Sequence, residues 1–187
     1  MRGEGWRTAR PAPDCMTGNS TVGSCTRLTG SQPQANYVCG RGRGFPNGND
    51  VRMFRLGPSQ AASFTAYSAG QWGTLVAAAD VDGSGLDNPL TGPGPGAVYG
   101  PHVRAFQPTG APIYKVSFYA YGTLRYGVNV AGAALDADGP DEIVTGAGPG
   151  AVFGPHVRSF NYDGVAVTAL AKVSFFAYPT LKYGVNP

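Results

Sequence analysis

Charge is scarce in this chain, and histidine scarcer. Lys, Arg, Asp and Glu make up 13% of 187 residues, there are two histidines, and the formal net charge is +3. That charged share is about half the usual one. So small a net charge leaves no electrostatic footprint for a phosphate backbone, and no nucleic-acid partner is expected. Long apolar runs are missing too, so no membrane span is expected. No apolar h-region follows Met1, so no signal peptide is visible; export then uses another route, or the true start lies upstream. No window keeps an amphipathic helical pattern between caps, so helix should be scarce. No nucleophile comes with a matched base, and no paired carboxylates occur outside the repeat loops described below. The chain is not expected to be an enzyme. Three cysteines cannot all pair within one chain. Cys15 and Cys25 can bridge a loop, with Cys39 free or a partner, and such a bridge presumes an oxidising compartment.

Glycine and proline are abundant, at 29 and 16. Hydrophobic residues still reach 42%, with aromatics at regular spacing. That argues against a disordered Gly/Pro-rich chain.

The spacing comes from a repeat. Thr91-Gly92-Pro93-Gly94-Pro95-Gly96 through His102-Val103-Arg104-Ala105-Phe106 returns as Thr145 through Phe160, 54 residues later. Ser63-Phe64-Thr65-Ala66-Tyr67 matches Ser117 to Tyr121 and Ser174 to Tyr178. A weaker copy of the glycine element and of Val-Arg-x-Phe spans Val38 to Phe54, offset by 52. Such a period means an array of supersecondary units. Each unit reads as four short strands: β-branched and aromatic runs bounded by Gly, Pro, Asn and Asp. The expected fold is all-β, with about three four-stranded antiparallel units per chain.

Each full unit carries an acidic loop. Asp80-Val81-Asp82-Gly83-Ser84-Gly85-Leu86-Asp87-Asn88 places oxygen ligands as a hard cation such as Ca2+ requires. Asp80, Asp82, Ser84, the Leu86 carbonyl and Asn88 are the candidate ligands. The sister loop offers Asp136, Asp138, the Pro140 carbonyl and Glu142, with Ala134 where Asp80 stands. Ca2+ is expected in the first loop ahead of the second, which has lost its first ligand. The alternative for both is an Asx-rich turn that bonds its own backbone. The corresponding stretch, Leu28 to Asn36, has no acidic residue, and no metal is expected there.

With these elements in order, residues 38–187 resemble the FG-GAP (integrin-α-like) repeat proteins, in particular their bacterial form. The resemblance rests on Ser174-Phe175-Phe176-Ala177-Tyr178, on the Asp-x-Asp-Gly loop at 80–85, on Thr145-Gly146-Ala147-Gly148-Pro149-Gly150, and on Gly154-Pro155-His156-Val157-Arg158. It implies that each unit is one blade of a β-propeller, with Ca2+ in its acidic loop. It also implies an extracellular or cell-surface role in binding, adhesion or structure.

The remaining repeated residues read as scaffold. Thr-Gly-x-Gly-x-Gly lacks the ending of a phosphate loop and opens no helix. Glycine at alternate positions instead strips one strand face, so that a neighbouring backbone can approach. His102 and His156 are equivalent and read as hydrogen-bonded structural residues rather than metal ligands. Arg52, Arg104 and Arg158 recur, each suited to a carbonyl, a carboxylate or an aromatic of the next unit.

Residues 1–36 form an irregular Gly/Pro/Ser-rich segment containing the acceptor pattern Asn19-Ser20-Thr21. The repeat domain, 37–187, divides into a half-blade 37–50, repeats 51–102 and 103–156, and a half-blade 157–187. Three blades are too few to close a ring. The halves are complementary, so the expected function is a structural protein. It would polymerise head to tail, into a filament or a ring, by completing a split blade between subunits. The alternative is an adhesion or carbohydrate- or protein-binding propeller, a fragment or one subunit of a larger one. It would take a glycan or cell-surface protein on aromatics such as Trp72, Tyr99 or Tyr126. The same three residues also suit packing.

Overall fold

The computed structural model describes residues 23–30, 37–55, 59–68, 70–123, 125–179 and 182–187. Cys15 and the Asn19-Ser20-Thr21 pattern lie outside them. Among the described residues the protein is all-β, with twelve strands and no helix.

The strands form three four-stranded antiparallel sheets. The first contains β1 (Ser24–Arg27), β2 (Tyr37–Gly40), β3 (Asp50–Phe54) and β4 (Gln60–Thr65). The second contains β5 (Thr74–Ala79), β6 (Asn88–Pro93), β7 (His102–Phe106) and β8 (Pro112–Thr123). The third contains β9 (Val128–Ala133), β10 (Glu142–Ala147), β11 (His156–Tyr162) and β12 (Val167–Phe176). Strand order follows chain order in each, as hairpin connections dictate.

The phase differs from the sequence unit. Each sheet begins on the small apolar run and ends on Ser-Phe-x-Ala-Tyr, half a unit away from the 51, 103 and 157 boundaries. The expected half-blade 157–187 pairs within the chain, Val157 opposite Gly146 and Phe160 opposite Ile143. The first sheet starts at Ser24, inside the segment expected to be irregular. No strand of these sheets is left for a neighbour to supply, so blade completion is corrected to whole sheets.

Two cores lie where consecutive sheets meet. Leu28, Val38, Val51 and Met53 of the first sheet pack with Val76 and Phe106 of the second. Leu90, Val103, Val116 and Ala120 of the second pack with Val128, Ile143 and Phe160 of the third. The length difference between repeats is absorbed in the last hairpin of each sheet. The register shifts at Met53/Phe54, at Arg104/Phe106 and at Arg158/Ser159, where bulges take up the extra residues. These hairpins make β8 and β12 longer than the short strands expected, at 12 and 10 residues.

The glycine strips do as the pattern implies. A Cβ at Gly92 would sit 2.2 Å from the Val128 carbonyl oxygen, and one at Gly148 would sit 1.9 Å from that of Tyr126. Only glycine lets the first strand of the next sheet come this close. Cys25 and Cys39 face each other across β1 and β2 and are joined as a disulfide. The described bridge therefore ties neighbouring strands.

Candidate functional site

Two kinds of repeated polar site stand out: the acidic loops, and a set of side chains locking one sheet to the next.

The first loop satisfies itself. Asp80 accepts from the N–H groups of Ser84 (2.9 Å) and Gly85 (2.7 Å), one on each carboxylate oxygen. Burial pushes its carboxyl above the ordinary value, against the pull of those two donors. Asp82 accepts from Ser84 N–H at 3.2 Å and from the Gln107 amide at 2.8 Å. Burial raises its carboxyl, but the hydrogen bonds from Gln107 and Ser84 together outweigh that and hold it below its usual value. Asn88 is fully buried and accepts from Val81 N–H at 3.1 Å. This is the Asx-rich turn, with its acceptors already turned to protein donors.

The second loop is not balanced in this way. The carboxylate oxygens of Asp136, Asp138 and Glu142 lie within 4.8 Å of one another. Glu142 stands where the first loop has Asn88 and is equally buried. Its Oε2 accepts from Leu135 N–H at 2.6 Å, while its Oε1 has no partner. Asp138 N–H donates to Asp136 at 3.0 Å and holds that carboxyl below its ordinary value. A buried carboxylate oxygen without a donor is costly. Three converging carboxylates with one such orphan fit a divalent, oxygen-loving cation. The ranking of the two loops is thus the reverse of the sequence expectation. A count of ligand positions favoured 80–88, whereas the donors already in place leave 136–142 as the candidate centre.

Asp87 and Asp141, equivalent residues passed over in the sequence reading, chain the loops together. Asp87 accepts from the N–H and, at 2.8 Å, the hydroxyl of Thr29. Asp141 accepts from Asp80 N–H at 2.9 Å, and its own N–H returns a bond to the Asp80 carbonyl at 2.8 Å. Their recurrence one residue before Asn88 and Glu142 was the available signal.

The inter-sheet lock is built from the repeated Tyr, Thr, His and Arg. Tyr67, which follows β4, pairs its hydroxyl with Thr91 Oγ1 (2.9 Å) and donates to the His102 carbonyl (2.8 Å) of the second sheet. Tyr121, at the end of β8, repeats this with Thr145 Oγ1 (3.0 Å) and the His156 carbonyl (2.7 Å) of the third. Burial drives the Tyr67 hydroxyl pKa well up and that of Tyr121 up to about 12, so both stay protonated donors. Arg104 reaches back to the Ala66 carbonyl, and Arg158 to that of Ala120. Each guanidinium also lies over an aromatic, Phe106 at 4.9 Å and Phe160 at 5.1 Å. That aromatic belongs to the arginine's own strand, where the next unit was one expectation. Phe64 packs on Phe106 at 4.3 Å, and Phe118 on Phe160 at 4.7 Å.

The histidines are hydrogen-bonded as expected. His102 Nε2 meets Ser117 Oγ at 2.8 Å and stacks on Tyr119. His156 meets Ser174 at 3.0 Å and stacks on Phe176. Partial burial, and then the neighbouring Arg104 or Arg158, lowers both imidazole pKa values. Of the aromatics considered for sugar, Trp72 covers Gly96 and Tyr126 covers Gly150, while Tyr99 hydrogen-bonds Asn49 at 3.0 Å. All three are engaged in packing.

Comparison with protein-family models, with curated proteins and with solved structures finds no match to this chain. No described helix is long and apolar enough to cross a membrane.

Proposed function

We propose that this is a non-enzymatic, extracellular structural repeat protein of the FG-GAP kind, with its three sheets as propeller-type blades. It associates head to tail with copies of itself and holds Ca2+ in the loop containing Asp136, Asp138 and Glu142. One observation carries the assembly reading. The third sheet ends on an exposed strand bearing the residues that, in the first two sheets, lock onto the next sheet. Whole sheets dock; strands are not exchanged. A heterologous contact of this type yields a ring or a filament. The expected result is concentration-dependent growth in sedimentation velocity, with rings or filaments in electron microscopy. A monomer that persists at every concentration would refute it.

The orphan oxygen of buried Glu142 supports the cation. A bound Ca2+ would neutralise the three carboxylates and take that oxygen as a ligand. Ca2+ should raise the melting temperature and chelator should lower it, with the response abolished in Glu142→Gln. An unaltered melt in Ca2+ would refute the site. Scaffold rather than catalysis is supported by the His–Ser pairs. They recur at equivalent places, and neither Nδ1 has a carboxylate partner among the described residues. The Cys25–Cys39 disulfide is of the kind that persists in oxidising compartments.

A further inference from the structure

Resting on the head-to-tail reading, the repeat geometry points to a particular joint. We infer that the outer face of the third sheet docks on the outer face of the first sheet of a second copy, through the contacts that already join sheets inside one chain.

The internal joint occurs twice, with the same partners at the same positions. Each time, a Phe of the earlier sheet stacks on the Phe of Val-Arg-x-Phe. The following Ala carbonyl accepts from the Arg of that segment. The Tyr hydroxyl donates to the carbonyl of the residue before Val. The next members of the donor series are Phe175, Ala177 and Tyr178. Tyr67 is 4% exposed in the first joint, whereas Tyr178 is 55% exposed and Phe175 51%. No described residue stacks on Phe175 or accepts from Tyr178.

The receiving series is equally unmet at the start of the chain. Asp50, Arg52 and Phe54 occupy the places of His102, Arg104 and Phe106. Arg52 is exposed and has only Asp50 beside it, at 3.7 Å. Arg104 and Arg158, by contrast, each reach the carbonyl of a preceding sheet. The face thus lacks a Phe, an Ala carbonyl and a Tyr hydroxyl, the three groups left over at the other end.

A fourth contact agrees independently. Trp72 and Tyr126 each bond the glycine loop of the preceding sheet and lay their ring over a glycine of the following one, Gly96 and Gly150. Tyr183 is next in this series. Its N–H bonds the Gly150 carbonyl at 3.2 Å, as that of Tyr126 bonds Gly96, and its ring is 66% exposed. The matching glycine of the first sheet is Gly44, where an added Cβ would meet no described atom within 4 Å. Tyr183 of one copy would cover Gly44 of the next. The series departs at one point: Cys39, bonded to Cys25, stands where Thr91 and Thr145 stand. The Tyr178 hydroxyl therefore keeps its carbonyl partner but gains no hydroxyl.

The test uses full-length chains blocked at one end, Phe175→Glu at the tail and Arg52→Glu at the head. Both positions are exposed, so folding should survive, which matched melting curves will check. Tyr178→Phe serves as a milder tail variant. Each blocked chain should self-associate at least about tenfold more weakly than wild type, the scale of one lost charge-assisted hydrogen bond. Mixed in equal amounts, the two blocked chains should form 1:1 dimers and nothing longer, because one live face remains on each. Wild type that assembles while the variants assemble equally well would overturn this joint and leave head-to-tail association standing. Assembly by Arg52→Glu alone but not by Phe175→Glu would mean that two third-sheet faces pair with each other, which also overturns it. A monomeric wild type sinks both readings. In that case, hydrogen-exchange protection of residues 50–54 would identify this chain's own residues 1–22 as the occupant of the first face.

Discussion

Replacing Tyr67 by Phe isolates the inter-sheet lock. The ring is buried, so Phe preserves the packing and opens no cavity. What disappears is one hydroxyl, which donates to the His102 carbonyl at 2.8 Å and pairs with Thr91 Oγ1 at 2.9 Å. Thr91 still donates to the Arg104 carbonyl at 3.3 Å, so the principal loss is an unpaired acceptor on His102. Such a loss costs about 1–3 kcal/mol. For a chain of this length that lowers the melting temperature by roughly 2–12 °C. Tyr121→Phe should cost a similar amount, since its hydroxyl reaches the third sheet in the same way. Tyr178→Phe, the same chemical change on the exposed third copy, should stay within about 0.5 kcal/mol when measured in dilute, monomeric protein. Thermal and urea unfolding followed by circular dichroism make the comparison. A Tyr67→Phe protein that melts like wild type, or a Tyr178→Phe protein that loses as much as Tyr67→Phe, would refute the lock as the force between sheets.

Acid should weaken the fold through His102 and His156. Both imidazoles have folded-state pKa values below their unfolded value, so the unfolded chain binds more protons. Their contribution is present above about pH 6.5 and is lost as pH falls below it toward the folded values. Urea midpoints at pH 7.5 and pH 5.5 should therefore differ, and a His102→Gln/His156→Gln variant should show a smaller difference. Gly148→Ala should destabilise by about 1–3 kcal/mol or more, because its Cβ would lie 1.9 Å from the Tyr126 carbonyl oxygen and backbone must move. A wild-type melting curve for that variant would show that the close approach is not needed.

Much of the architecture was legible because a repeated sequence repeats its strands. Alternating apolar runs and glycine strips implied four strands per unit, and the sheets contain four. The phase was not legible. A tandem repeat reads the same wherever its unit is cut, and only hydrogen-bond pairing reveals that a sheet runs from the Val76 strand to the Ser117 strand. The loops show a similar limit. Spacing counts the oxygens of 80–88 but does not show that Asp80 is turned to Ser84 and Gly85. Nor does it show that Glu142 keeps one buried oxygen without a donor. Asp87 and Asp141 were missed because their role is to grip a neighbouring loop, which single-loop spacing does not encode.

The sequence by itself determined the all-β character, the number of units and the identity of the residues that recur in each. These follow from side-chain periodicity and from glycine, both local properties of the chain. Tertiary structure alone decided which strands share a sheet and which acidic loop has acceptors to spare. It also decided that Phe175, Tyr178 and Tyr183 are left exposed while their counterparts are engaged. These depend on what lies across the gap from a residue. Identical segments meet different surroundings according to whether another sheet follows.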